Sequence, residues 1–313
     1  MRKRITVLFC SILAAVMSTG LPSQESLASK APKQKVLTVA ARDSSRVAII
    51  EFNVPRGFYE TATSVAMVCP TPGAVIHYTL DGSEPKVTSK VYSEPVHIDH
   101  TTLLRVAAFK TGWEPSRVYT HTYIFPEDVI ASGVLRSSIA NHPDYKSQIR
   151  NALLAAPSLS LVTAEAIKED PPSYGSGKAN EQKLVRASLE WLEPGDGNGV
   201  QENCGVEYFG GSFTPFKKKS FRLHFRREFG ASKFKYPVFT GYEHGLAAVA
   251  EFDQLELRSG SHDMAQRGFY LSNVFADDSM LEMGHLNPHG RFVHLYLNGV
   301  YWGVFHLRER WGA

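Results

Sequence analysis

Cysteine is nearly absent from this chain, with three in 313 residues, at Cys10, Cys69 and Cys204. So few and so widely spaced, they exclude a disulfide framework as what holds the fold. Long apolar runs are missing as well. Ile5 to Met17 is only thirteen residues long, against the ~20 that a membrane-spanning helix needs. Net charge is small, +3 at pH 7, and the basic residues are dispersed apart from Lys217, Lys218 and Lys219. Charge therefore points to no nucleic-acid partner. There is no GxxxxGK phosphate loop, no nucleophile elbow and no Cys/His metal spacing. His285 and His289 flank an Asn-Pro turn at metal-like spacing. They lack a third ligand and read as a loop pair, so no metal site is expected.

What is present describes an exported globular protein. Hydrophobic residues make up 43% and charged residues 21%, which suits about two folded domains. Arg2, Lys3 and Arg4 precede the short apolar run, and Ser26-Leu27-Ala28 is a small-x-small cleavage site. That order is the pattern of a secretory signal peptide over 1–28, so the protein is expected to be secreted, with no membrane span after cleavage. Phe9 is bulky where a lipoprotein site before Cys10 would need a small residue. Cys69 and Cys204 then remain, in different expected domains, and read as two separately buried thiols; an oxidising exterior would permit a bridge.

Residues 29–55 suit a linker or a lead-in strand. Over 56–125 short β-type runs alternate with turns: Val65, Met67 and Cys69; Thr71-Pro72-Gly73; Ala74 to Leu80; Asp81-Gly82-Ser83; Val96 to Ile98; Leu103 to Phe109; Val118 to Ile124. Short strands at intervals of roughly 8–12 residues predict an antiparallel, immunoglobulin-like β-sandwich. Residues 126–184 read as a connecting helix and loop, with Ile149, Leu153 and Leu154 at helical spacing and a Pro/Gly/charge-rich insertion over 168–182. From 185 to 313, strands at 187–192, 205–209, 220–225 and 252–257 surround a helix predicted over 264–283, which suggests an α+β domain. Asn298-Gly299 between Phe292–Leu297 and Val300–Leu307 predicts a type I′ hairpin. Both faces of that hairpin are apolar and call for burial on two sides.

Two stretches resemble known families. Ile76-His77-Tyr78-Thr79-Leu80-Asp81-Gly82-Ser83-Glu84-Pro85, with Tyr92, Pro95, Ala107-Ala108-Phe109, Gly112-Trp113 and Thr120-His121-Thr122-Tyr123, resembles the chitobiase/β-hexosaminidase C-terminal (GH29D-like) sandwich. The resemblance implies an accessory module of secreted enzymes. Its Asp81-Gly82-Ser83 reads most simply as a turn. The second stretch is Ser188-Leu189-Glu190-Trp191, Lys218-Lys219-Ser220-Phe221-Arg222-Leu223, Leu257-Arg258-Ser259 and Leu295-Tyr296-Leu297-Asn298-Gly299-Val300-Tyr301-Trp302-Gly303-Val304, with Glu309. It resembles the CotH (spore coat protein H) kinase family.

That second resemblance implies an atypical, ATP-dependent Ser/Thr protein kinase scaffold using Mg²⁺ or Mn²⁺. Phosphoryl transfer needs cations and N–H donors around the phosphates. Gly210 and Gly211 are candidates for a phosphate cradle, or for a plain hairpin turn. Lys219, expected to open the strand that continues with Phe221, Leu223 and Phe225, is the first candidate phosphate contact, and Lys218 is the alternative. A solvated basic strand edge would also explain both. Arg222 would then face the opposite way. Glu309 aligns with an acidic residue near the adenine side, or is a surface carboxylate among Arg308 and Arg310. Asp263, Asp277 and Asp278 read as capping or solvated helix residues. The catalytic and metal-binding aspartates of the family lie in a lobe beyond the hairpin, and Ala313 follows Glu309 by four residues. The expectation is therefore an incomplete kinase site, inactive or a fragment, with catalytic residues unknown and one hairpin face left bare. The alternative is a non-enzymatic extracellular module that binds polysaccharide or a secreted protein. Glycoside hydrolysis lacks a carboxylate pair to carry it.

Overall fold

The computed structural model describes residues 46–165, 184–195, 199–209, 218–242, 244–245, 247–260 and 270–310. The leader over 1–28, the 168–182 insertion, Gly210, Gly211, Asp263 and the first part of the helix expected over 264–283 lie outside the described residues. The chain divides into compact units Met1–Arg46 and Val47–Ala313, and the second holds all that follows.

Its first part is sandwich-like. β1 (Glu51–Phe52) pairs with β4 (Met67–Val68), and β3 (Thr63–Val65) with β7 (Val96–Ile98). These pairs pack on a five-stranded sheet of β2 (Gly57–Phe58), β9 (Tyr119–Ile124), β8 (Thr102–Phe109), β5 (Val75–Thr79) and β6 (Lys90–Val91), in that order. Val65, Met67, Ile76, Val96, Ile98, Leu104 and Val106 form the filling, joined by Val47 and Ile50 from the lead-in segment. Alternation explains one face of β8, since Leu104, Val106 and Ala108 point into this core. Leu103, Arg105 and Ala107 on its other face are buried too. A strand buried on both faces is covered on both faces, and here the second cover is the rest of the chain.

That remainder is a seven-stranded closed barrel. β10 (Ser158–Val162), β11 (Val185–Leu192), β12 (Gly199–Phe209), β13 (Ser220–His224), β16 (Gln254–Arg258), β18 (Val300–Glu309) and β17 (Gly290–Leu297) pair in that order. β17 closes the ring by running parallel to β10, with Ser158 opposite His294 and Leu161 opposite Leu297. Leu159, Leu161, Leu189, Trp191, Val206, Phe221, Leu223, Leu255, Leu257, Leu295, Phe305 and Leu307 fill the interior. The short pair β14 (Phe234–Lys235) and β15 (Glu251–Phe252) adds Phe234 and Phe252, with Val238 and Phe239 of the adjoining loop.

The described residues of 185–313 thus form mostly the barrel, with the Ser272–Glu282 helix outside it, and do not confirm the α+β pattern expected there. The Ser272–Glu282 helix buries only Leu281, too little for a structural layer. The Asn298-Gly299 turn has positive φ at both residues, 48° and 78°, as a type I′ hairpin requires. The hairpin face expected to be bare is covered in part from within the chain, while Val300 and Trp302 stay exposed. Tyr296 packs with Ile124 of the sandwich, Val129 of the Pro126–Ala131 helix, Ile149 and Leu153 of the Ile149–Leu153 helix, and Leu192 of the barrel. The connecting helices thus act as filler between sandwich and barrel. Among the described residues no helix is long and apolar enough to cross a membrane.

Candidate functional site

Chemistry-bearing side chains gather in two places on the barrel. The first is at the start of β13. Lys218 lies just before that strand, and its Nζ donates a hydrogen bond to the carbonyl oxygen of Val304 on β18. The ammonium sits 4.3 Å from the Phe305 ring centre and 5.8 Å from that of Tyr270. The Tyr270 hydroxyl is 3.2 Å from the carbonyl oxygens of both Val304 and Arg258. Gly260, at φ 65°, lies directly against the Tyr270 ring, where any side chain would collide. No carboxylate among the described residues pairs with Lys218. Burial without a counter-charge pushes its pKa down to about 8. Among the described residues, a carbonyl oxygen and two ring faces are what surround this partly desolvated cation, and neither supplies a full negative charge.

The second gathering is a row of charges across the barrel's outer wall. Glu207, Arg222, Glu256 and Arg308 stand opposite one another on β12, β13, β16 and β18. Arg222 donates to Glu207 at 3.2 Å and to Glu256 at 3.1 Å. Arg308 reaches Glu256 at 3.6 Å and Asp277 of the Ser272–Glu282 helix at 3.1 Å. His224 Nε2 is 3.0 Å from Glu207. Burial disfavours the Glu207 charge, yet His224 and Arg222 outweigh it and hold its pKa below the usual carboxylate range. Every charge in this row is answered by its neighbour, so the row clamps the helix to the wall.

Of the residues expected in one cofactor site, Gly210 and Gly211 lie outside the described residues, Lys218 and Lys219 lie just before β13, and Glu309 ends β18. Lys218 lies against Val304 and Phe305. Lys219 is half-buried beside it, and β13 begins one residue later, at Ser220. Glu309 is neither loose nor paired with Arg308 or Arg310. It accepts hydrogen bonds from the backbone N–H and the ring Nδ1 of His289, both at 2.9 Å, and so ties the loop before β17 to the end of β18. From Val304 to Glu309 is five residues of strand, ~17 Å at the usual rise, so Lys218 and Glu309 do not touch one ligand atom. Asp277, expected to be capping or solvated, is ion-paired to Arg308 and accepts from Asn287 at 2.7 Å. Asp278 lies 3.6 Å from His244. The charge row was missed in the sequence. Its signal is the outward position shared by Glu207, Arg222, Glu256 and Arg308, visible only once register is known.

A third polar cluster joins the two halves. Glu190 on β11 is wholly buried and meets Arg56 at 3.2 Å, the Thr122 backbone N–H at 3.0 Å and the Thr122 hydroxyl. Burial pushes its pKa up, against the pull of Arg56 and the Thr122 donors.

Comparison with known proteins assigns the two halves separately. Residues 54–120 match the family described as chitobiase/beta-hexosaminidase C-terminal domain, and residues 206–312 match the family described as CotH kinase protein. The order and the families are those that the sequence motifs indicate. The second match begins within β12 and takes in Lys218, Lys219 and Glu309, whereas β10 and β11 precede it. No curated protein matches the chain.

Proposed function

We propose that the barrel, as the CotH-kinase-matching half of the chain, is the nucleotide-binding scaffold of a secreted protein kinase-like phosphotransferase, with Lys218 as its phosphate contact. The observation that carries this reading is the half-buried ammonium of Lys218 inside the matched segment, with which no carboxylate of the described residues pairs. Its fit to a polyphosphate is electrostatic. A phosphate oxygen would supply the counter-charge that Val304 and the aromatic rings replace only in part. The reaction class implied by the matched family is transfer of a phosphoryl group from ATP to a Ser or Thr hydroxyl. ATP would arrive with Mg²⁺ or Mn²⁺, which neutralises phosphate charge when bound. This chain's part in the proposed scheme is phosphate binding and orientation. Export through the leader over 1–28 is part of the proposal, and N-terminal sequencing of the secreted protein checks it.

The test is calorimetric. Lys218 is about half protonated near pH 8, and an arriving polyphosphate should restore the missing proton. ATP binding to the full chain is expected to take up a fraction of a proton at pH 8, read from titrations in buffers of different ionisation enthalpy. Lys218→Met should abolish that uptake and weaken binding at least tenfold, while Lys219→Met should keep the uptake. ATP binding that Lys218→Met leaves intact would remove Lys218 from the role. Absence of ATP binding would leave the extracellular binding module, for which the exposed Trp113 is the surface feature.

A further inference from the structure

The sandwich matches a family separate from that of the barrel, yet the contacts between them are not those of an appended arm. We propose that the sandwich is an integral brace of the barrel, its β8–β9 face permanently occupied, so that the two halves fold and unfold as one cooperative unit. The inference is independent of any nucleotide.

Three observations carry it. The first is polar. Glu190 is completely desolvated at the junction and is answered from the sandwich side by Arg56 and by both donors of Thr122. The Thr122 hydroxyl also lies 2.7 Å from Ser160 on β10. Separation would strip these partners together. The second is steric. The Asp81-Gly82-Ser83 turn is an Asx turn, with Asp81 accepting from Ser83. It is also a key in a slot, since a methyl on Gly82 would lie 3.3 Å from Leu103 and 3.4 Å from Val162 of the barrel. The turn's carbonyl accepts from buried Arg105 at 2.8 Å. The hairpin turn of the barrel sits over the same leucine, with a methyl on Gly299 3.6 Å from Leu103. The third is apolar. The cluster around Tyr296 draws Ile124 and Phe58 from the sandwich, Val129, Ile149 and Leu153 from the connecting helices, and Leu192 and Tyr301 from the barrel. No part closes that cluster alone.

Opposing this, the hydroxyls of Thr120, Ser158 and Ser188 are buried without a hydrogen-bond partner. Such groups cost stability and do not hold an interface. A sandwich of about 80 residues is also near the size at which a lone core is marginal. The balance favours mutual dependence over two self-sufficient domains joined by a hinge.

Scanning calorimetry of the full chain decides, with Val65→Ala in the sandwich core and Leu223→Ala in the barrel core. A brace gives one transition whose calorimetric and van't Hoff enthalpies agree, and either substitution moves all of it down by about 5–10 °C. Two transitions, each moved only by the substitution on its own side, overturn the proposal. Where a variant does not fold or heating is irreversible, native-state hydrogen exchange on the unmodified chain gives the answer. The slowest amides of β8 and β11 should open together, with one free energy and one denaturant slope, and distinct opening energies refute the brace.

Discussion

His294 and His306 stand on neighbouring strands of the barrel wall, and among the described residues neither has a counter-ion. His294 is held between the Ala152 carbonyl and the Tyr301 hydroxyl, at 3.0 Å from each. Burial pushes its pKa down to about 4. Burial, aided by Arg308 and Arg258, pushes that of His306 down to about 3. Both titrate near 6.5 when unfolded, so the unfolded chain takes up protons that the folded chain refuses. Their contribution to stability is complete above pH 6.5 and is lost as pH falls toward 4 and 3. Between pH 7 and 5 the pair should cost about 3–4 kcal/mol. Urea midpoints at the two pH values read this, and His306→Phe should remove about half of the difference. An unchanged pH dependence in that variant would show that other groups carry it.

At the scale of elements, the β17–β18 hairpin holds the one non-glycine residue with positive φ among the described residues. Asn298 has φ 48° and its Oδ1 accepts from the Thr163 backbone N–H at 2.8 Å. Asn298→Ala should therefore lower stability by about 1–3 kcal/mol, from left-handed strain and a lost hydrogen bond. Asn298→Gly should fall between the two, and denaturant unfolding of the three proteins gives the order. This turn was legible in the sequence because its chemistry is local. The same holds for the strands of the sandwich and for most of those around the barrel, each announced by alternation and a following turn. Closure of the barrel was not legible. The parallel pairing of β10 with β17 joins segments far apart in sequence, and nothing in either strand names its partner. The short helices at Pro126–Ala131 and Ser137–Ala140 escaped notice because one turn of helix has no measurable period. The sequence places Lys219 ahead of Lys218 as the residue that opens the strand; β13 begins one residue later, at Ser220, and a shift of one residue in a strand's start reverses its faces.

At the scale of the whole molecule, the two thiols of the described residues lie in different environments. Cys69 is half-buried in the sandwich, and Cys204 is completely buried in the barrel interior, where burial pushes its pKa up. Neither is in a disulfide. A maleimide reagent should label Cys69 in the native protein, and Cys204 only as fast as the barrel opens. Because the brace ties the halves together, Cys204 labelling should then follow the same denaturant midpoint as the loss of sandwich structure. Labelling of Cys204 well before that midpoint would show the barrel opening alone.

The seam between β10 and β17 sets a timetable for synthesis. Ser158 must wait for His294, on the order of 130 residues later, and at ordinary translation rates of 5–20 residues per second that is about 7–25 s. Throughout that interval one flank of β10 is an open template for any other strand in reach, the hazard that edge strands carry. Contacts this distant also make the final ring closure slow once the chain is complete. The vulnerable species during synthesis is thus the chain that is one hairpin short of a closed wall.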